Sequence, residues 1–301
     1  MVVAESITIH KSQGSTLEKV SILMKKGMER SLVYVALSRA TSLDGLFLIG
    51  EFHPPTPPKE DHPVVKEMKR LRESALLTPK FQHLRTVQQD NIQIVCFNVQ
   101  SLGFHFKSII NDGVFINSHI LLLQEIWLKA SDKIDIPGMI EVQRNALESR
   151  TPRGTIIYAK NDQPATPKET FCFEHNNHRI EITSCMIFDV LLVNIYKKPN
   201  TSFEFFKDKI NQIEHLFRHD NVIFCGDFND NFANNEENNS TVKFLREAFN
   251  LRKVSQCSPT TNDGTSIDAV FAKLDNFSCE TFIYESYFSH HKPIVIRLKR
   301  Q

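Results

Sequence analysis

The sequence predicts an α+β fold in which sheets pack together with helices outside, and not a purely parallel doubly wound sheet. Three observations predict it. Beyond residue 90, short apolar runs rich in β-branched and aromatic residues outnumber the helical patterns between them. Neighbouring runs lie close enough for hairpins, as over 180–196. A proline-rich seam, E-F-H-P-P-T-P-P-K-E-D at Glu51–Asp61, sets this region apart from the first fifty residues. Paired prolines remove backbone donors and disfavour helix, so the seam reads as a stiff, exposed connector.

The elements follow in order. After the seam, Val64, Met68, Leu71, Ala75 and Leu76 recur at helical spacing, with Lys66, Lys69, Arg70 and Arg72 on the polar side. A second break falls near Thr78–Gln89. The expected organisation is therefore a segment over 1–52, a linker with a basic helix over 53–90, and a main domain over 91–301. Strands are expected at Ile92–Phe97, His119–Leu123, Thr155–Tyr158, Ile180–Ile187, Val190–Tyr196, Val222–Cys225, Ile267–Phe271 and Pro293–Leu298. Phe203, Phe206, Ile210, Ile213 and Phe217 form one helical stripe, and Ser240 can cap a helix running to about Phe249. The Asn-rich stretch N-D-N-F-A-N-N-E-E-N-N-S reads as a solvated loop.

Composition narrows the function classes. The chain has 301 residues, 41% of them apolar and 24% charged, which is globular. Its formal net charge of +1 gives no global basic field, so any nucleic-acid binding must use local patches. Six scattered cysteines without a C-x-x-C pair read as buried reduced thiols. No apolar stretch approaches the ~20 residues of a membrane helix, and no secretory leader opens the chain, so the expectation is an intracellular protein with no membrane partner.

Polar groups recur where the apolar runs end. I-L-L-L leads into Gln124-Glu125, V-I-F-C leads into G-D-F-N-D, Asp268 opens a strand, and the last run follows His290-His291. Loops at strand ends on a rigid scaffold are where catalytic side chains gather. Each feature alone is ordinary: a Glu after a strand is usually solvated, and Gly, Asp and Asn suit turns. The joint set carries the reading. Hard oxygen donors without clustered Cys or His suit Mg²⁺ or Mn²⁺, and a His with a separate carboxylate suits proton handling.

The ordered stretches F-N-V-Q-S (97–101), L-Q-E-I-W (123–127), R-G-T-I-I-Y (153–158), V-N-I-Y-K-K-P-N (193–200), G-D-F-N-D (226–230), G-T-S-I-D-A-V-F (264–271) and S-H-H-K-P-I (289–294) resemble the endonuclease/exonuclease/phosphatase superfamily. They look closest to the AP-endonuclease-like domains of mobile elements. The resemblance implies a four-layer α/β/β/α sandwich of DNase-I-like fold and a Mg²⁺-dependent phosphodiesterase. It implies Glu125 as metal ligand with Asn98 beside it, and Asp227 orienting or deprotonating the attacking water. Asn229 and Asn194 would bond phosphate oxygens, with Tyr196 a supporting donor. His291, held by Asp268, would pair with developing charge or act as base. Two positions depart from the family. Gln100 and His290 stand where it has carboxylates, which predicts no well-occupied second metal site and activity that is reduced or shifted towards Mn²⁺.

The first segment carries another signal. S-I-T-I-H-K-S-Q-G-S-T-L (6–17) and V-Y-V-A-L-S-R-A-T-S-L-D-G-L (33–46) resemble the last two nucleotide-coupled motifs of Pif-family superfamily-one DNA helicases, and E-M-K-R-L-R (67–72) their tail helix. The resemblance implies a partial RecA-like segment. His10, Lys11, Gln13 and Gly14 would face DNA and nucleotide, and Arg39 would be an arginine finger. No G-x-x-x-x-G-K-[ST] phosphate loop occurs in the sequence, so ATP hydrolysis by this chain alone is not expected. Helicase followed by nuclease resembles the C-terminal end of a Helitron-type transposon protein. That arrangement favours DNA as substrate, a nuclear location and the upstream helicase portion of a longer polypeptide as partner. The alternatives are a catalytically weak or inactive remnant, or a phosphatase of the same fold.

Overall fold

The computed structural model describes residues 6–54, 57–74, 81–87, 90–146, 151–233 and 238–301. Pro55 and Thr56 of the seam, Ala75 and Leu76 of the expected helix, residues 78–80, 88 and 89 of the second break and 234–237 of the Asn-rich stretch lie outside it. The chain divides into two compact units, Met1–Thr78 and Pro79–Gln301, a division that falls inside the stretch read as linker.

In the first unit, β1 (Val20–Leu23) runs parallel to β2 (Leu46–Ile49), with Val20 opposite Leu46. Parallel neighbours need a crossover, and α1 (Arg30–Leu37) supplies it. The buried core is small: Ile22, Met24, Val33 and Ala36. The proline seam leads to α2 (Pro63–Ser74), whose proline sits in the first turn, where no intrahelical donor is lost.

The second unit is built from rows of alternating residues. One six-stranded sheet has the order β13 (Phe277–Ile283), β14 (Ile294–Arg300), β3 (Asn91–Asn98), β4 (Ile120–Gln124), β6 (Thr155–Lys160), β5 (Met139–Asn145). The other has the order β11 (Arg252–Lys253), β12 (Asp268–Lys273), β10 (Val222–Asp227), β9 (Val190–Lys197), β8 (His178–Ile187), β7 (Ala165–His175). Successive side chains point to opposite faces. One row from each strand therefore faces the other sheet: Ile94 and Cys96, Ile120 and Leu122, Val190 and Leu192, Ile223 and Cys225 all belong to one buried cluster. The opposite rows face the helices. Val95, Phe97, Leu121 and Leu123 pack with α4 (Leu102–Asn111) and α5 (Gly113–Asn117). Leu191, Val193, Val222 and Phe224 pack with α6 (Phe203–Gln212) and α7 (Ser240–Phe249). The layers are thus helix, sheet, sheet, helix.

All eight expected strands form, and 180–196 is a hairpin. Within this unit the strands missed by sequence reading, β5, β7, β11 and β13, are the edges of the two six-stranded sheets. Edge strands carry charge on their exposed side; most of β7 is exposed, so its alternation is absent from the sequence. The short α3 (Gln82–Arg85) also belongs to this unit, with Leu84 fully buried and its carbonyl accepting from Gln93 Nε2 at 2.9 Å. The α7 cap is Asn239, one residue before the expected Ser240: its side chain accepts from the Val242 N–H. The expected stripe at 203–219 is α6 followed by a 3₁₀ turn at Glu214–Arg218.

The Asn-rich stretch differs from a solvated loop where it is described. Phe232 is fully buried, its ring 5.9 Å from those of Phe228 and Phe271. Burying a phenylalanine stabilises by roughly 1.5–3 kcal/mol, so Phe228 and Phe232 anchor the chain on either side of Asn229–Asn231. Gly226 fixes the approach from the other direction. At its φ of +147° a Cβ would lie 1.9 Å from the Ile195 carbonyl oxygen, so only glycine lets β9 and β10 sit this close before Asp227. None of the six cysteines, all among the described residues, forms a disulfide; Cys172 and Cys257 are exposed and Cys279 is half-buried, which narrows the expected buried set to Cys96, Cys185 and Cys225.

Candidate active site

The inward rows end in polar residues at one end of the sandwich. Ile94 and Cys96 are followed by Asn98, Leu122 by Gln124, Leu192 by Asn194 and Tyr196, and Cys225 by Asp227. Asp268 opens β12 directly opposite Asp227. Loops from β4 and from the turn before β14 add Glu125 and His291.

Asn98 is fully buried and donates from Nδ2 to Glu125 Oε1 and to Asp227 Oδ2, each at 2.9 Å. One amide thus holds two carboxylates from opposite sheets. Glu125, at φ +48°, also accepts from Trp127 Nε1 at 3.1 Å. Asp227 Oδ1 accepts from the Asn229 N–H at 2.9 Å. His291 is 5% exposed; its Nδ1 lies 2.9 Å from Asp268 Oδ2 and its Nε2 4.0 Å from Asp227 Oδ2.

Electrostatics follow from this crowding. Burial, and then the charge of Asp268, push the Asp227 carboxyl up to about 8, against the opposing pull of His291, Asn98 and the Asn229 N–H. Burial alone would lower the His291 imidazole. The Asp268 charge and hydrogen bond, with Asp227 and Glu125 behind them, outweigh burial and raise it to about 9. The imidazole is therefore a cation at neutral pH, a donor at both nitrogens. Tyr196 is 3% exposed and hydrogen-bonds Glu125; burial and the charges of Glu125 and Asp227 raise its phenol, keeping it a proton donor. The Arg179 guanidinium lies 5.8 Å from its ring centre.

Of the residues singled out in the sequence, Asn98, Glu125, Tyr196, Asp227, Asp268 and His291 form this connected group. Asn229 borders it, at φ +48°, with Nδ2 donating to the Lys197 carbonyl at 2.7 Å. Asn194 is corrected. It is fully buried one row below the mouth, accepts from Gln124 Nε2 at 2.5 Å, and donates to the Leu123 carbonyl at 3.1 Å and to Thr183 Oγ1 at 3.3 Å. Its amide ties the sheets together and cannot reach a phosphate. Alternation decides this, since residues 194 and 196 share the inward face and only the later one reaches the strand end.

The two departures from the carboxylate pattern also have definite places. Gln100 Oε1 accepts from the His290 N–H at 3.1 Å and so serves the turn before β14, not the carboxylates. His290 turns its Nε2 to Asp263 Oδ2, 3.2 Å away, with its side chain 39% exposed. Gln124, Trp127 and Ser289 were missed. Their signal was position: each lies within two residues of a candidate, yet nothing in its own type suggests a role.

The donor set fits a hard divalent cation. Asp227, Asp268 and His291 lie with one potential ligand atom each within 4.8 Å of the others, the carboxylates being the donors while the imidazole is protonated. Three carboxylates meet with one imidazole, and a bound cation would draw the Asp227 carboxyl, raised first by burial and then by Asp268, towards its ionised form. Glu125 and the carboxamide oxygen of Asn98 are the donors on the other sheet.

In the first unit, His10–Ser12 form a 3₁₀ turn that leads to Gly14 at φ +87°, with His10, Lys11, Gln13 and Gly14 all exposed. Arg39 is held by its own neighbourhood: Nη1 donates to the Ser15 carbonyl at 2.9 Å and Nε to the Val35 carbonyl at 3.0 Å.

Residues 190–295 match the family model described as endonuclease-reverse transcriptase. Among solved structures, the endonuclease domain of TRAS1, a telomere-specific non-LTR retrotransposon, is similar with a TM-score of 0.52 and 18% identity, over 70% of this chain and 99% of that one. The second unit has the endonuclease/exonuclease/phosphatase fold. This is the DNase-I-like α+β sandwich, as the ordered stretches from 97 to 294 implied. Over a short stretch, 15% and 25% of its length, the chain is similar to ATP-dependent DNA helicase PIF1 of Candida albicans, 56% identical over 46 residues, and of Danio rerio, 45% identical over 74 residues. The chain spans 5% of the length of the first of these relatives and 11% of the second. An endonuclease/exonuclease/phosphatase sandwich behind a short helicase-like segment is the arrangement expected from the sequence.

Proposed function

We propose that the second unit is a divalent-cation-dependent phosphodiesterase that cuts DNA strands. The observation that carries this reading is the meeting of Asn98, Glu125, Asp227, Asp268 and His291 at the common end of the inward rows, joined across both sheets by the Asn98 amide. Glu125 and Asn98 would hold Mg²⁺ or Mn²⁺, which when bound supplies charge neutralisation at the scissile phosphate and the leaving oxygen.

This chain's own residues do the rest. Asp227 orients a water and takes its proton as the new O–P bond forms and the bond to the leaving oxygen breaks. Beside a bound cation the Asp227 carboxyl is held in its ionised form, free to accept that proton. The His291 imidazolium, fixed by Asp268, faces the charge that develops on the phosphoryl oxygens. The Tyr196 hydroxyl and the second amide hydrogen of Asn229 are further donors to phosphate.

DNA as the substrate is supported by the resemblance of this unit to a retrotransposon endonuclease domain and of the first unit to part of a DNA helicase. We assign no ATP hydrolysis to this chain, because its sequence contains no phosphate loop to cradle the nucleotide.

The substrate class is tested by giving the full chain, with Mg²⁺ or Mn²⁺, end-labelled duplexes with and without an abasic site and a soluble phosphomonoester. Strand scission of a duplex is the expected result. Release of phosphate from the monoester with no scission of either duplex would make the protein a phosphatase instead.

A further inference from the structure

Three turns of the site are bonded into one block, and Gln100 sits at their junction. The Ser101 N–H donates to the Glu125 carbonyl at 2.9 Å and the Leu102 N–H to the Ile126 carbonyl at 3.0 Å, so the turn after β3 is fixed to the Glu125 turn. The Gln100 N–H donates to Asn98 Oδ1 at 3.2 Å, while its Oε1 accepts from the His290 N–H at 3.1 Å. Ser289 Oγ adds a second link: it donates its single proton to the Asn98 carbonyl at 2.9 Å, lies 3.3 Å from Gln100 Oε1, and accepts from the His291 N–H at 3.2 Å. The backbone leading into His291 is thus held by the turn that carries Gln100.

The conformation of that turn is itself restricted. Gln100 has φ +47° and Ser101 φ +90°, in the region that L-residues seldom occupy. Such residues persist where surrounding bonds over-determine them. The side chain also suits the task chemically. A carboxamide oxygen accepts a backbone N–H without adding charge to a site that already holds Glu125, Asp227 and Asp268.

We propose that Gln100 is a positioning residue for His291: its carboxamide oxygen clamps the 289–291 turn and so sets the imidazole against Asp268 and Asp227. The position where the family has a carboxylate here serves the histidine loop. The kinetic part of the test rests on the nuclease reading; the spectroscopic part does not.

The test uses the full chain with ¹⁵N-labelled histidine, the His291 ring resonances being assigned by their loss in His291→Ala. Gln100→Met, of similar length but with no acceptor oxygen, is expected to shift or broaden the His291 ring resonances, and Ser289→Ala to do the same. Gln100→Glu, which keeps an acceptor, is expected to restore them. In DNA nicking, Gln100→Met lowers kcat about tenfold, the scale of lost orientation, with KM for DNA and the half-saturating Mg²⁺ concentration unchanged. The Gln100→Met/Ser289→Ala double variant falls no further than either single change, because the two act through one turn. His291 ring resonances in Gln100→Met that superimpose on the unsubstituted protein's would overturn the proposal. So would a tenfold rise in half-saturating Mg²⁺ with those resonances unmoved, which would make Gln100 a cation ligand. If the unsubstituted protein cuts no DNA, the nuclease reading fails, and the ring resonances still decide the role of Gln100.

Discussion

Asp227→Asn is expected to abolish DNA cleavage, lowering the rate by about 10³-fold or more, while raising the melting temperature of the cation-free protein at neutral pH. The first half follows from removing the only carboxylate of the group that the Asn98 amide and the Asn229 N–H hold in the mouth of the second sheet. General-base loss costs on the order of 10²–10⁴-fold. The second half follows from burial. Asp227 is fully buried and its carboxyl is raised to about 8, against an ordinary value near 4 in the unfolded chain. A group whose folded value is raised stabilises the fold fully below the unfolded value and loses that contribution as pH rises through the folded value. The cation-free protein therefore grows less stable between about pH 4 and pH 8, because the unfolded chain's aspartate ionises while the buried carboxyl keeps its proton, and an asparagine escapes that cost. The expected gain at pH 7 is on the order of 1–3 kcal/mol, where 1 kcal/mol moves Tm by roughly 2–4 °C. Thermal melts in chelator from pH 4 to 8 check this: the two curves converge at the acid end and separate towards pH 8. Equal melting temperatures at pH 7 would contradict the account of Asp227 as a buried carboxyl that resists ionisation.

His291→Ala is expected to lower the cleavage rate by 10²-fold or more, the scale of a lost proton-handling group. The imidazole is 5% exposed and fixed by Asp268 at 2.9 Å, so its geometry is set before substrate arrives. Burial would lower it, yet the charges of Asp268, Asp227 and Glu125 raise it to about 9, so the proposed mechanism uses it as an imidazolium and not as the base. Two alternatives stood open in the sequence, charge partner or base, and the proposed function takes the first. The sign is clear: cleavage falls as pH rises through about 9 and the imidazolium is lost. His291→Ala removes that alkaline limb from the pH–rate profile. A loss under tenfold, or an unchanged alkaline limb, would contradict the role.

Much of this was legible in the sequence because β-strand alternation writes itself there. Ile94, Cys96 and Asn98 read as one inward row that turns polar at its end, and so do Ile223, Cys225 and Asp227. The chain thus announced both the interior strands and the end of the sandwich where the acids meet. Depth was not legible. Asn194 and Tyr196 share a face and a motif, yet Asn194 lies one row deeper, bonded to Gln124 and Thr183 between the sheets, and no local property of the sequence separates them. Edge strands were illegible for a different reason: β7 is mostly exposed, so its side chains answer to solvent and not to a core. The use of Gln100 was hidden because its partner, the His290 N–H, lies far along the chain, and a backbone donor leaves no trace in residue type. Phe232 shows the converse error. An Asn-rich stretch looked like pure solvent, and its one aromatic residue is what ties it down.

The most direct measurement is conversion of supercoiled plasmid to the nicked circle by the full chain, followed across a titration of Mg²⁺ and of Mn²⁺. The account predicts nicking that requires the cation, saturates with it, and is lost in a Glu125→Ala/Asp227→Ala double variant that remains folded. Nicking that persists in chelator, or that survives the double variant, would contradict the assignment of a cation-dependent phosphodiesterase to this site.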